Sequence, residues 1–220
     1  MSAPVIAIDG PSASGKGVVA SRIAEVLGFH YLESGALYRL VALQSLRDAE
    51  NREEPLARIA ADMPVAFRKG KIILGKQDVT EEVRSEACGN KASEVARLPA
   101  VRQALMMRQR GFRQPPGLVA DGRDMGTIVF PDAALKVFLT ASPQVRAERR
   151  YKQLIDKGIP ANLRSLSRDL AERDERDRKR SVAPLVPAAD SQVLDSSALS
   201  IDQVVERVLG WWERNSGRRG

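Results

Sequence analysis

Short apolar runs alternate along this chain with segments whose apolar residues recur every three or four positions. Pro4 to Ile8 (PVIAI) is almost wholly apolar, the pattern of a strand buried on both faces of a parallel sheet. After Gly10 to Gly17 (GPSASGKG), Val19, Ile23, Val26 and Leu27 make a helical stripe that Gly28 closes as a C-terminal cap. Tyr31-Leu32 predicts a short strand, and Ser34 caps a helix running to about Arg47. Between Asn51 and Lys76 the pattern changes: a short helix near Leu56 to Ala61 precedes Val65 to Arg68 and Lys71 to Leu74, a hairpin turning at Gly70. Glu81 to Gly111 is mostly helical, broken near Pro99. Gly117 to Ala120 (GLVA) and Ala134 to Leu139 (ALKVFL) are further buried strands, the second followed by a helix from about Pro143. A turn with Gly158 and Pro160 leads to a long polar helix from about Leu163 to Arg180. Gln192 to Leu194 is a last strand, before a closing helix whose inward stripe is Ile201, Val204, Val205, Val208, Leu209 and Trp212.

This alternation predicts an α/β fold, a doubly wound parallel sheet flanked by helices. Two insertions interrupt it, one small α+β piece at about residues 49–83 and one charged helical piece at about 151–180. The core is then 1–48, 84–150 and 181–220, within one domain spanning 1–220. The charged helix carries the pairs Asp169–Arg173, Glu172–Arg176, Asp174–Arg178 and Glu175–Lys179, each acid four residues before its base. Held this way with little apolar content, it is expected to project from the core.

Composition narrows the class. The single cysteine, Cys88, cannot form an intramolecular bridge, which suits a reducing compartment; no apolar run approaches membrane-spanning length, and no basic region precedes a long apolar stretch at Met1 to Asp9. A cytoplasmic protein with no membrane partner is expected. His30, the one histidine, and the Leu105 to Gln109 stretch read as structural, the latter and Cys88 as buried packing. The net charge of +7 comprises 26 Arg against 9 Lys, and Arg146 to Arg180 holds twelve basic and seven acidic residues. Arginine grips phosphates and carboxylates with a planar fork, so the excess points to anionic ligands. An RNA-binding module would interleave aromatic rings with those cations, yet aromatics are 5% and Phe112 is the one ring amid Arg108 to Arg113. A small phosphorylated substrate fits better, with no nucleic-acid partner.

Gly10-x-x-x-x-Gly15-Lys16 follows a buried strand and opens a helix, the context in which a glycine loop binds phosphate rather than merely turning. Backbone N–H groups can curl around a phosphate only where no Cβ intervenes, the helix N-terminus faces the same charge, and Lys16 reaches the terminal phosphates. The hydroxyl usual after such a lysine is missing: Gly17 and Val18 stand there. Mg²⁺ is then expected to travel with the nucleotide, reaching Asp9 or Asp121 through water, with no dedicated protein metal site.

IDGPSASGKG, ESGALYR (Glu33 to Arg39), ADGRDMGTIVFPDA (Ala120 to Ala133), ERDERDRKRSVAPLVPAAD (Glu172 to Asp190) and VLDSS (Val193 to Ser197) stand in one order across nearly the whole chain. Together they resemble the bacterial cytidylate kinases, a nucleoside monophosphate kinase family, in which Thr usually occupies the position of Val18 and Asp is frequent at that of Glu33. The resemblance implies a P-loop kinase fold with a substrate-binding insertion and a mobile lid. It also implies a monomer transferring phosphate from ATP to CMP or dCMP, with UMP or another small acceptor as the alternative. It assigns Gly10, Pro11, Ser12, Ala13, Ser14, Gly15, Lys16, Gly17, Val18 and Arg149 to ATP. Ser34, Arg39 and Arg123 go to the CMP phosphate, Ser93, Arg102 and Asp124 to cytosine, and Asp177 and Arg180 to the ribose region. Lys16, Arg123 and Arg173 become the catalytic cations. A guanine-binding switch protein is disfavoured, since no Asn-Lys-x-Asp segment is present.

Overall fold

In a computed structural model, which describes residues 2–68 and 70–216, the elements run in chain order as follows. β1 (Val5–Asp9), α1 (Lys16–Leu27) and β2 (His30–Glu33) come first, then α2 (Ser34–Asp48), α3 (Glu53–Asp62), β3 (Val65–Arg68), β4 (Lys71–Leu74) and β5 (Gln77–Asp78). α4 (Thr80–Arg84), α5 (Glu86–Val95) and α6 (Pro99–Gly111) precede β6 (Leu118–Gly122), a π-helical turn (Met125–Val129) and β7 (Leu135–Thr140). α7 (Pro143–Ile155), α8 (Leu163–Arg178), β8 (Gln192–Asp195) and α9 (Ile201–Ser216) complete the chain. Packing divides it into two compact units, residues 1–32 with 112–220, and residues 33–111.

The first unit is built on a five-stranded sheet in the order β2-β6-β1-β7-β8. β1 lies at its centre, parallel to β6 on one side and β7 on the other, and β8 runs parallel to β7. Every residue of β1 is buried, which is why its sequence reads as a continuous apolar run ending in Asp9. Ile6, Ile8, Val137 and Leu139 of the sheet pack with Val19 and Ile23 of α1 and Val204 and Val208 of α9. Each such side chain contributes about 1.5–3 kcal/mol through burial. Phe29 meets Trp212 edge to face at 5.7 Å. With these pairs parallel, the carboxyl ends of β1, β6, β7 and β8 deliver Gly10, Arg123, Ala141 and Ser196 to one edge of the sheet, where open α/β sheets hold their ligands.

Local signals hold where they are covalently close. Gly28 adopts φ 65° and its N–H returns to the Ala24 and Glu25 carbonyls, while Pro143 enters α7 behind Ser142, whose hydroxyl accepts from Val145 N at 3.3 Å. Others are corrected by packing. Val26 and Ile201 are 64% and 43% exposed, the inner faces of α1 and α9 being filled instead by Ala20 and Ala24 and by Val204, Val205 and Val208. Ser34 begins α2 as a buried residue, but no side chain caps that helix.

The charged helix differs most from expectation. α8 lies against α7 with Leu166, Asp174 and Asp177 buried, rather than projecting from the core. Glu172–Arg176 (4.0 Å) and Glu175–Lys179 (2.7 Å) are present as i,i+4 pairs. Asp174, however, turns inward and takes Arg146 of α7 at 2.6 Å.

In the second unit α2 packs on α5 and α3 on α6, beside the antiparallel sheet β3-β4-β5. β3 and β4 form the expected hairpin, with Gly70 at φ 77°. β5 is an added two-residue strand too short to leave a pattern in the sequence. Cys88 and Leu105 are buried as expected, but Met107 is 62% exposed because its position on α6 faces away from α3.

Candidate active site

The glycine loop passes from the end of β1 into α1, and its backbone is held in conformations that side chains resist. At Gly10 a Cβ would stand 2.0 Å from the Leu139 carbonyl oxygen, so no other residue fits without moving β7. Gly15 takes φ 91°, and Ala13 itself sits at φ 58°, a left-handed conformation uncommon for a residue with a Cβ. The outer carbonyls of the loop are fixed from outside: Arg146 Nη1 donates to Ser12 O (3.1 Å), Arg149 Nη1 to Ser14 O (3.2 Å), and Ser196 Oγ to Ser14 O (3.2 Å). Arg149 also donates to Ser196 O at 2.6 Å, tying β8 to the loop.

Lys16 opens α1 and is buried, its ammonium donating to Pro11 O at 3.3 Å. Burial first, then the nearby Arg123 and Arg173, lower it to about 7 against the opposing pull of Asp121 and Asp177. Asp121, at the end of β6, accepts from the Tyr31 hydroxyl at 2.5 Å; burial raises its carboxyl while Lys16, Tyr31 and Arg123 oppose the rise. Gly17 lies beside that pair, and Val18 points outward, 45% exposed.

Arg123 follows β6 and makes the widest set of links. Its Nη2 donates to Ser12 Oγ (2.8 Å), its Nε to Asp177 Oδ2 (3.0 Å) and its Nη1 to Gly122 O (3.1 Å). Asp177 also accepts from Arg180. Burial alone would raise the Asp177 carboxyl, but Arg123, Arg180 and Arg173 together hold it below the ordinary range. Arg173 sits one turn earlier on α8, half-buried. Asp124 is buried and begins the π-helical turn, its carbonyl accepting from Ile128 N (2.9 Å) and Val129 N (3.1 Å); such turns recur at functional sites.

Thus Lys16, Arg123, Arg173, Asp177 and Arg180, which the sequence spreads over three distant segments, form one charged cluster against the glycine loop. Ser34, Arg39, Ser93 and Arg102 belong to the second unit. There Arg39 donates to Val83 O (2.7 Å) and Ser85 O (3.1 Å). Arg102 donates to Ala96 O (3.2 Å), its guanidinium 5.8 Å from the centre of the Tyr38 ring. Ser34 and Ser93 are buried. His30 is exposed and bonds the Pro115 carbonyl at 2.9 Å, a structural link.

Two carboxylates are near enough the loop to meet a hydrated cation. Asp9 has both oxygens engaged, accepting from Met125 N and Gly126 N at 2.8 Å each. Burial nevertheless raises its carboxyl to about 7, against those two amides. Asp121 has one oxygen bonded to Tyr31 and is a hard oxygen donor suited to Mg²⁺. Among the described residues no cluster of three His, Cys, Asp or Glu stands ready to hold a metal, and no helix is long and apolar enough to cross a membrane.

Arg146 and Tyr31 were missed by sequence reasoning. Arg146 is 4% exposed and joins Ala141 O, Ser12 O and Asp174. Its only sequence signal is the i,i+3 spacing with Arg149, which puts both on one face of α7.

The family described as Cytidylate kinase matches residues 6–214. A cytidylate kinase of Paraburkholderia phymatum is 59% identical over 211 residues, covering 95% of this chain and 92% of that protein. One of Ralstonia pickettii is 59% identical over 216 residues, covering 97% and 94%. Among solved structures, a gluconokinase from Sinorhizobium meliloti aligns with a TM-score of 0.51 at 17% identity, over 96% of this chain and 92% of that one. At that identity the likeness is one of fold.

Proposed function

This chain belongs to the cytidylate kinase family, and from that premise we propose that it transfers the γ-phosphoryl group of ATP to CMP and dCMP, giving ADP with CDP or dCDP. The observation that carries the reading is the buried Lys16 inside a glycine loop whose neighbour Arg123 spans from Ser12 to Asp177. A cation burial holds near 7 is one that an anion restores: triphosphate oxygens beside Lys16 favour its charged form.

The acceptor is a phosphate dianion and attacks the γ-phosphorus directly, so the enzyme needs no covalent intermediate. Its work is positioning and neutralising charge on the transferring group. The glycine loop and Lys16 hold the donor phosphates, with Arg149 keeping the loop carbonyl of Ser14 in place. Arg123 and Arg173 face the charge that develops between donor and acceptor. Ser34 and Arg39 hold the CMP phosphate, and Ser93, Arg102 and Asp124 read the donor and acceptor groups of cytosine. Asp177 and Arg180 address the ribose. Asp121 would hold, through water, a Mg²⁺ carried by the ATP phosphates, and that ion would supply further neutralisation. Residues 151–180 act as a lid that excludes water, which would otherwise accept the phosphoryl group.

ADP formation followed with CMP, dCMP, UMP and AMP tests the reading: the cytosine nucleotides are the preferred acceptors, and equal use of UMP or AMP would overturn it. Asp124→Ala raises KM for CMP far more than KM for ATP; equal rises would remove Asp124 from base recognition.

A further inference from the structure

Asp9 does two things at once. Its main chain ends β1 and passes straight into Gly10, the first residue of the glycine loop. Its carboxylate, on a residue 5% exposed, accepts from the amides of Met125 and Gly126 at 2.8 Å each. Those amides open the π-helical turn directly after Arg123-Asp124 and, as the first donors of a helical turn, need partners from outside it. The strand register places Asp9 beside Gly122 of β6 and Phe138 of β7, so the carboxylate is fixed on the centre of the sheet. Gly126 is packed against it: a Cβ there would lie 3.4 Å from Asp9 Oδ2 and 3.2 Å from the Lys136 side chain. With both oxygens engaged, Asp9 serves backbone geometry, and Asp121 is the carboxylate left for the metal side.

We propose that Asp9 is a positioning residue that sets the direction of Arg123 and Asp124, and hence of the acceptor base, relative to the phosphate loop. The proposal rests on the reading of Asp124 as a CMP contact. Through Asp9 the donor-binding and acceptor-reading segments share one rigid anchor, while its two N–H bonds act first on the acceptor-reading turn.

The test is Asp9→Asn, assayed for KM of both substrates. Asparagine offers one acceptor oxygen and one NH₂, so one amide of the turn loses its partner. KM for CMP is expected to rise about tenfold, the scale of one hydrogen bond to a charged group, with KM for ATP within about twofold. Asp9→Glu does not rescue, because the added methylene overfills a packed site. In the Asp124→Ala background, Asp9→Asn raises KM for CMP by less than it does in the wild type, an outcome that general loosening of the fold would not give. Gly126→Ala, which keeps the carboxylate but crowds the same peptide, shows the same split with smaller size and decides the matter if Asp9→Asn does not fold. Equal rises in both KM values, or none, overturn the inference. A wild-type enzyme that leaves CMP unphosphorylated overturns the underlying reading, and this inference with it.

Discussion

The glycine loop and helix α8 are both rich in buried charge, and they handle it in opposite ways. In the loop, Lys16 is buried with a carbonyl partner and lies near 7, its charge only partly answered by Asp121. In α8 the buried acids are matched: Asp174 takes Arg146, and Asp177 takes Arg123 and Arg180. The loop keeps a cation whose best partner is an anion from outside. The helix commits its buried acids to arginines brought by other segments, and so fixes where those arginines stand. A buried charge left short of a partner marks a binding function, and the buried Asp174–Arg146 pair, which the substrate contacts leave out, marks a framework.

The sharpest way to break this contrast is to remove each charge in turn. Lys16→Ala is expected to lower kcat by at least about a thousandfold, as loss of a preorganised charge at the transferring group does, with the circular dichroism spectrum unchanged. An active Lys16→Ala enzyme would end the distinction. Asp174→Asn should act on stability instead: Arg146 is left buried without its carboxylate, and unfolding in urea should show a loss of about 3 kcal/mol. A stability change near zero would mean that α8 is not held by that pair.

The smallest effect is the most specific. Lys16 is mostly neutral in the free enzyme above its lowered value of about 7, and bound phosphates raise it again. ATP binding at about pH 8 should therefore take up close to one proton, read by calorimetry in two buffers of different ionisation heat. Uptake should fade as the pH drops to about 6, where Lys16 is already charged, and vanish in Lys16→Arg. Heat independent of buffer at the higher pH would show that Lys16 carries its proton before ATP arrives.

What the sequence determined by itself is whatever depends on neighbours along the chain. The burial of β1, the glycine loop and its helix, the Gly28 cap, the Pro143 helix start and the hairpin at Gly70 all follow from short-range sterics and periodicity. The family blocks likewise held the cations, Lys16, Arg123, Arg173 and Arg180, that gather against the glycine loop. Tertiary structure alone decided which charge meets which. Asp174 has Arg178 four residues on, yet α7 brings Arg146 nearer and in a drier place, where a guanidinium is worth more to a carboxylate than at the surface. Asp9 is one carboxylate among many in the sequence; only the parallel pairing of β1 with β6 puts two amide hydrogens over it. Periodicity says which face of an element is turned inward, but the partner waiting there is set by the other elements of the fold.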